Sequence, residues 1–181
     1  LAASFCFLTP LYRDILVGGG VIDAARYNAR AALDEGYSIA LVPGGATEAL
    51  YAMPGRSDLY IRRRKGFIKL AIETGSDLVP VYSFGESELY GQMSASFPFV
   101  QKIQKKFQAV FGISLPMITN ILPRKVAIVS VAAHPITVKK NPNPTDAEIN
   151  EVLEEYIKSL ERVYYKFADK YGAKGQKLNI H

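Results

Sequence analysis

The clearest pattern along the chain lies near its end. Ile149, Val152, Leu153, Tyr156, Ile157, Leu160, Tyr164, Phe167 and Ala168 recur at helical spacing, with charged residues between them. Thr145 and Glu148 ahead of that run form a T-x-x-E capping box, and Gly172 stands where such a helix stops. The pattern predicts a helix of about 25 residues whose role is packing. Residues 23–36 also read as a helix, with Asp23 placed to cap it, frequent alanine and Gly36 at its end. Residues 62–75 read as another, with Phe67, Leu70, Ala71 and Thr74 on one face and Gly75 as the stop.

Between these helices lie short apolar runs bounded by glycine or proline. Residues 38–43 (SIALVP), 78–84 (LVPVYSF) and 125–132 (KVAIVSVA) read as buried strands, with Pro80 marking an edge or an irregular end. The order helix, strand, helix, strand implies an α/β fold with a mostly parallel sheet flanked by helices. No internal repeat or low-complexity linker divides residues 1–181, so a single domain is expected. The stretch "SFPFVQKIQKKFQAVFGISLPMI" sets Phe99, Ile103, Phe107, Val110 and Phe111 against Lys102, Lys105 and Lys106. It reads either as a basic amphipathic helix for a membrane surface or as an ordinary helix with a solvated lysine face.

Composition narrows this a little. The 181 residues are 49% hydrophobic, which suits a globular core. The net charge of +5 suits an anionic partner, or simply a basic surface. Cys6 is the only cysteine, so there is no internal disulfide framework. No run approaches the ~20 apolar residues of a spanning helix, and no signal-peptide pattern is present. The chain opens on Leu1 in mid-pattern, and the expectation is that it is truncated at the N-terminus.

Several chemistries are missing their motifs. There is no G-x-x-x-x-G-K-[ST] phosphate loop and no G-x-S-x-G nucleophile elbow, and "VGGGVI" reads as a turn. His134 and His181 have no partners at metal spacing, so no metal site is expected; His134 before Pro135 reads as a loop histidine. The stretch "LVPGGATEALYAMPG" is more informative. It follows an expected strand end, where the loops of such sheets open into a crevice. Gly44 and Gly45 let a ligand approach the backbone, and Glu48 can orient a histidine or bind a hydroxyl. A tight turn with a capping or solvated Glu48 fits the same residues. Arg62, Arg63, Arg64 and Lys65 stand at an expected helix start, where the dipole disfavours cations, so they read as an anion site or as a solvated basic turn. Glu86 follows Gly85 beyond a strand, with Glu88 close behind.

Taken together, "VPGGATEAL" followed by "RRRKGFIKLAIETGSDLVPVYSFGESELY" resembles the diacylglycerol acyltransferase type 2 family, which includes monoacylglycerol and wax-alcohol acyltransferases. Gly44, Gly45, Ala46, Glu48, Arg62, Arg64, Lys65, Gly66, Phe67, Pro80, Ser83, Phe84, Gly85 and Glu86 fall on its motifs, and the resemblance spans roughly residues 5–140. It implies a glycerolipid-acyltransferase-like fold and transfer of an acyl group from acyl-coenzyme A, as substrate and not cofactor, to a glyceride or long-chain alcohol. Diacylglycerol is the favoured acceptor. It also implies a membrane lipid surface as partner, at the endoplasmic reticulum or a lipid droplet, and it admits a homo-oligomer. No recognition motif points to nucleic acid. The family's catalytic histidine lies in an H-P-H-G motif that these 181 residues do not contain, so the chain alone is expected to be inactive. By the same resemblance Glu48 supports that histidine. Gly44, Gly45, Arg62, Arg64, Lys65, Gly66, Phe67, Ser83, Gly85 and Glu86 are the expected substrate-binding residues, with the cationic ones facing coenzyme A phosphates on grounds of charge. Two departures stand out. Ala133-His134-Pro135-Ile136 replaces the family's G-E-P-I, and the stretch before that strand is shortened to "TNILPRK". A paralogue that binds acyl-coenzyme A or membrane without catalysis is the alternative.

Overall fold

The computed structural model describes residues 1–2, 4–8, 10–45, 48, 55–90 and 122–181. The basic amphipathic stretch expected within residues 96–118 lies outside the described residues. A short 3-10 turn, Ser4–Leu8, leads into α1 (Tyr12–Gly18) and α2 (Arg26–Asp34). Strand β1 (Ser57–Leu59), α3 (Gly66–Thr74) and β2 (Val81–Phe84) follow, then β3 (Val129–Ala132), α4 (Asp146–Phe167) and β4 (Leu178–Ile180).

Helix α4 forms as its sequence pattern requires. The Thr145 hydroxyl accepts from the Glu148 N–H at 3.2 Å, and the Glu148 carboxylate accepts from the Thr145 N–H at 2.7 Å. Two otherwise orphaned helix-end donors are thereby satisfied. Ile149, Leu153, Tyr156, Ile157, Leu160, Val163 and Tyr164 form the buried stripe. It packs against Ile68 and Ile72 of α3, and against Ile136 and Val138 beyond β3. A second cluster joins Tyr164 and Ala168 to Phe84, Ala173 and Leu178. Among the described residues no helix is long and apolar enough to cross a membrane.

Helix α3 starts at Gly66, not at residue 62. The Arg62 N–H donates to the His181 carbonyl at 2.8 Å and the Arg64 N–H to the Ile61 carbonyl, so the basic residues form a turn that continues the β1–β4 ladder. At its other end Gly75 adopts φ 73° as a left-handed cap. The most deeply buried face is Ile68 and Ile72; Phe67 and Thr74 are half-buried. Helix α2 starts at Arg26, with Asp23 accepting from the Ala25 N–H at 2.7 Å just outside it. Arg26 and Arg30 of α2 reach Glu73 of α3 at 2.5 and 3.2 Å, which ties the two helices together around a buried carboxylate.

The sheet is smaller than the pattern predicts, and only part of it is parallel. Among the described residues there are two strand pairs. β1 pairs parallel with β4, Ser57 opposite Leu178, and β2 pairs antiparallel with β3, Tyr82 opposite Val131. Alternating apolar residues do not encode strand direction, so the expectation of a mostly parallel sheet rested on element order alone. Pro80 precedes β2 where only its carbonyl is used, accepting from the Ala133 N–H at 2.8 Å. Residues 38–43, expected to be a strand, are not assigned to one and pair with no strand among the described residues, and Val42 is 73% exposed. An apolar run becomes a strand only where a neighbour supplies the ladder bonds.

Candidate active site

Between the two strand pairs lies a cavity of about 1170 Å³, walled by residues 36–43, β1, α3, the start of β2 and α4. Glu48 stands in its wall. The Tyr60 N–H, just beyond β1, donates to Glu48 Oε2 at 3.2 Å. Burial pushes the Glu48 carboxyl above the ordinary carboxylate value; the Tyr60 N–H opposes this and the charge of Glu86 adds to it. Tyr82 from β2 and Tyr156 from α4 line the same cavity. Burial pushes both phenols up, and the negative charge of Glu48 acts in the same direction on each. Both hydroxyls therefore stay protonated and can donate. Ser57 anchors the Tyr82 side of the wall. It accepts from the Tyr164 hydroxyl at 2.9 Å and donates to Gln176 Oε1 at 3.2 Å.

Two glycines have roles that geometry defines. A side-chain carbon at Gly44 would collide with the Glu48 carboxylate, so Gly44 makes room for Glu48 itself. Gly85, at φ 86°, turns the chain after β2, and a side chain there would strike the Ala127 carbonyl. That turn sets Glu86 at the cavity and places Glu88 where its carboxylate accepts from the Gly55 N–H at 2.7 Å.

Of the residues singled out from sequence, Gly45, Glu48, Phe67, Ser83 and Glu86 line the cavity together. Gly44 and Gly85 are not in its lining, nor are Arg62, Arg64 and Lys65, exposed at the turn before α3, nor Gly66, the exposed first residue of α3. Arg62 pairs with Glu154 of α4 at 2.7 Å. The Ser83 hydroxyl also bonds Ser130 across the β2–β3 pair at 2.8 Å. His134 is exposed and outside the cavity lining, whereas its neighbour Pro135 lines it. Tyr82 and Tyr156 bring hydroxyls to the cavity that reading the apolar pattern alone misses. A tyrosine on an apolar stripe has a polar tip that needs a partner, and that is the signal available in the sequence. His181 was also without a recognised partner in the sequence; it stacks on Tyr60 at 4.8 Å and lies 3.8 Å from Asp58.

The arrangement sets Glu48, Glu86, Tyr82 and Tyr156 in a wall that also holds Arg56, Asp58, Asp77 and the apolar Leu41, Leu59, Leu70 and Leu78. Such a site can take an apolar chain and hold a hydroxyl or an imidazole by hydrogen bonds to Glu48. Among the described residues no three His, Cys, Asp or Glu side chains gather as a metal would require.

Comparison with known proteins agrees with this chemistry. The chain is 39% identical over 186 residues to "Diacylglycerol O-acyltransferase 1" of Saccharomyces cerevisiae, which covers 96% of this chain and 44% of the relative. It is 35% identical over 181 residues to "Diacylglycerol O-acyltransferase 2B" of Umbelopsis ramanniana, covering 91% of this chain and 52% of the relative. It is 34% identical to "2-acylglycerol O-acyltransferase 1" of Bos taurus, covering 93% of this chain and 54% of the relative. The chain thus spans about half the length of the curated relatives it matches. No solved structure matches it. The family model described as "Diacylglycerol acyltransferase" matches residues 1–181, and on that match the chain belongs to the diacylglycerol acyltransferase family.

Proposed function

We propose that these residues form the carboxylate side of an acyl-transfer site, moving a fatty acyl group from acyl-coenzyme A to a glyceride hydroxyl, with diacylglycerol as the acceptor. The observation that carries this reading is Glu48, held by the Tyr60 N–H in the wall of a cavity bordered by apolar side chains. The acceptor oxygen attacks the thioester carbonyl carbon, the new C–O bond forms, the C–S bond breaks, and the acceptor proton ends on the coenzyme A sulfur. The proton is taken first by an imidazole, which Glu48 orients and whose cation it stabilises. That imidazole belongs to an H-P-H-G segment, a motif absent from these 181 residues. Tyr82 and Tyr156, as neutral donors, hold the thioester carbonyl or the acceptor. The exposed Arg62–Lys65 turn faces the coenzyme A phosphates, which arginine binds as a fork. The fold is that of glycerolipid acyltransferases, and the protein works at the endoplasmic reticulum membrane or a lipid droplet. The names of the relatives, diacylglycerol and 2-acylglycerol O-acyltransferases, support the reaction class.

The test is transfer from labelled oleoyl-coenzyme A to diolein, monoolein and hexadecanol in membranes. Three proteins are compared: these 181 residues, the same residues preceded by a family segment bearing H-P-H-G, and that longer protein with Glu48→Ala. Transfer to diolein only in the second supports the reading. Transfer by the 181 residues alone overturns the need for the outside histidine and makes His134 and His181 the residues to replace. Binding of oleoyl-coenzyme A without transfer by any of the three favours a non-catalytic paralogue.

A further inference from the structure

One face of α3 lines the cavity. Phe67, Leu70 and Ala71, at i, i+3 and i+4, line it from one helix face. Phe67 marks the reacting end. Its ring packs edge-on against Tyr156 at 5.2 Å, and Tyr156 senses the charge of Glu48. Ala71 lies about 6 Å further along the helix axis. At the C-terminal end of α3 the lining becomes polar, with Ser76 and Asp77, and Asp77 accepts from the Val138 N–H at 3.3 Å. Leu33 of α2 also lines the cavity. Its helix is fastened to α3 by the Arg26 and Arg30 contacts to Glu73. Helix α3 is held on its other side by Ile68 and Ile72 in the core. An apolar chain lying along this face of α3 (the arm) from Phe67 would meet Ser76 and Asp77 beyond Ala71.

We infer that this face of α3 is a ruler for the acyl chain, and that Ala71, with Leu33 of α2, decides how long a chain the site accepts. The inference rests on the acyl-transfer reading above. Ala71 is the smallest side chain on the ruler and is 4% exposed, so any enlargement there enters the arm. A chain too long for the arm leaves its last methylenes in water, and a shorter one leaves the end of the arm unfilled.

The experiment measures binding of non-transferable alkyl-coenzyme A thioethers, from dodecyl to octadecyl, alongside turnover of the matching acyl-coenzyme A series. Both use the protein that carries the H-P-H-G segment. The unaltered protein should gain about fourfold in affinity per added methylene until the arm is full. Ala71→Phe should reach its plateau several carbons sooner while binding the dodecyl thioether as before. Leu33→Phe, at a half-buried position, should shift the plateau the same way and covers the case in which Ala71→Phe does not fold. Folding is checked by thermal melting. Length profiles of the folded variants that superimpose on the unaltered one overturn the ruler, as does an unaltered protein whose binding ignores chain length. Length-dependent binding that shifts in the variants without any transfer leaves the ruler standing and removes the acyl-transfer reading. Transfer with an unshifted profile does the reverse.

Discussion

Helix α4 and residues 37–43 with Glu48 line the same cavity, and they are held in place by different means. Ile157, Leu160 and Tyr164 of α4 are each 2% exposed or less, and its first turn is closed by reciprocal bonds between Thr145 and Glu148. The other part of the wall has less support among the described residues. Tyr37 and Val42 are exposed, residues 38–43 have no strand partner among the described residues, and the Glu48 carboxylate is tied by one described hydrogen bond, from Tyr60. The comparison separates scaffold from site. The scaffold gains stability from close packing, whereas the wall bearing Glu48 keeps a desolvated carboxyl at a cost in stability, as sites of chemistry commonly do.

Substitutions that break this contrast should differ in size and, at the end of the series, in sign. Ile157→Ala removes a fully packed side chain from between α4 and α3, and should cost about 2–5 kcal/mol in denaturant unfolding. Glu73→Ala leaves Arg26 and Arg30 without their shared carboxylate. Because both arginines are about half exposed, the loss should be about 1–2 kcal/mol, read from the shift in unfolding midpoint. Thr145→Ala removes one half of the capping box and should cost about 1 kcal/mol by thermal melting. An Ile157→Ala effect no larger than that of Thr145→Ala would refute the view that α4 is anchored chiefly by its buried stripe.

Glu48→Gln should go the other way. The Glu48 carboxyl in the folded chain sits above its ordinary value of 4.5, chiefly through burial. Between the unfolded and folded values the folded state binds more protons, so stability falls as pH rises through that window. Glutamine keeps an acceptor for the Tyr60 N–H and carries no charge. Glu48→Gln should therefore melt higher than the unaltered protein at neutral pH, and the difference should vanish below pH 4.5. A Glu48→Gln protein that is less stable at neutral pH would show that the charged carboxylate is held favourably, against the desolvation argument. In transfer assays the same variant should be strongly impaired, since it cannot stabilise an imidazolium.

How much of this was legible beforehand depends on the range of the interactions. The capping box, the buried stripe of α4 and the stop at Gly75 follow from residues within a few positions of one another, and all were readable. The family motifs placed Gly45, Glu48, Phe67, Ser83 and Glu86 on one list, and the structure brings them to one cavity. Three other features were not readable from local spacing. Residues 38–43 have a strand's pattern, but no ladder forms without a neighbour. The basic turn at Arg62–Lys65 has a helix's spacing, yet its first N–H is drawn to the carbonyl of His181. Tyr156 reads as packing, and only the fold brings it to the cavity that Glu48, more than a hundred positions earlier, also lines.

The sequence by itself determined the family, the capping box that opens α4, the stop at Gly75 and the apolar face of α4, because periodicity and capping act within a turn or two. Only the tertiary structure decided the antiparallel pairing of β2 with β3, the tyrosines that accompany Glu48 and the separation of the cationic turn from the cavity wall. Those depend on which surfaces meet across long sequence separations, and a local pattern records that a face is apolar without recording what covers it.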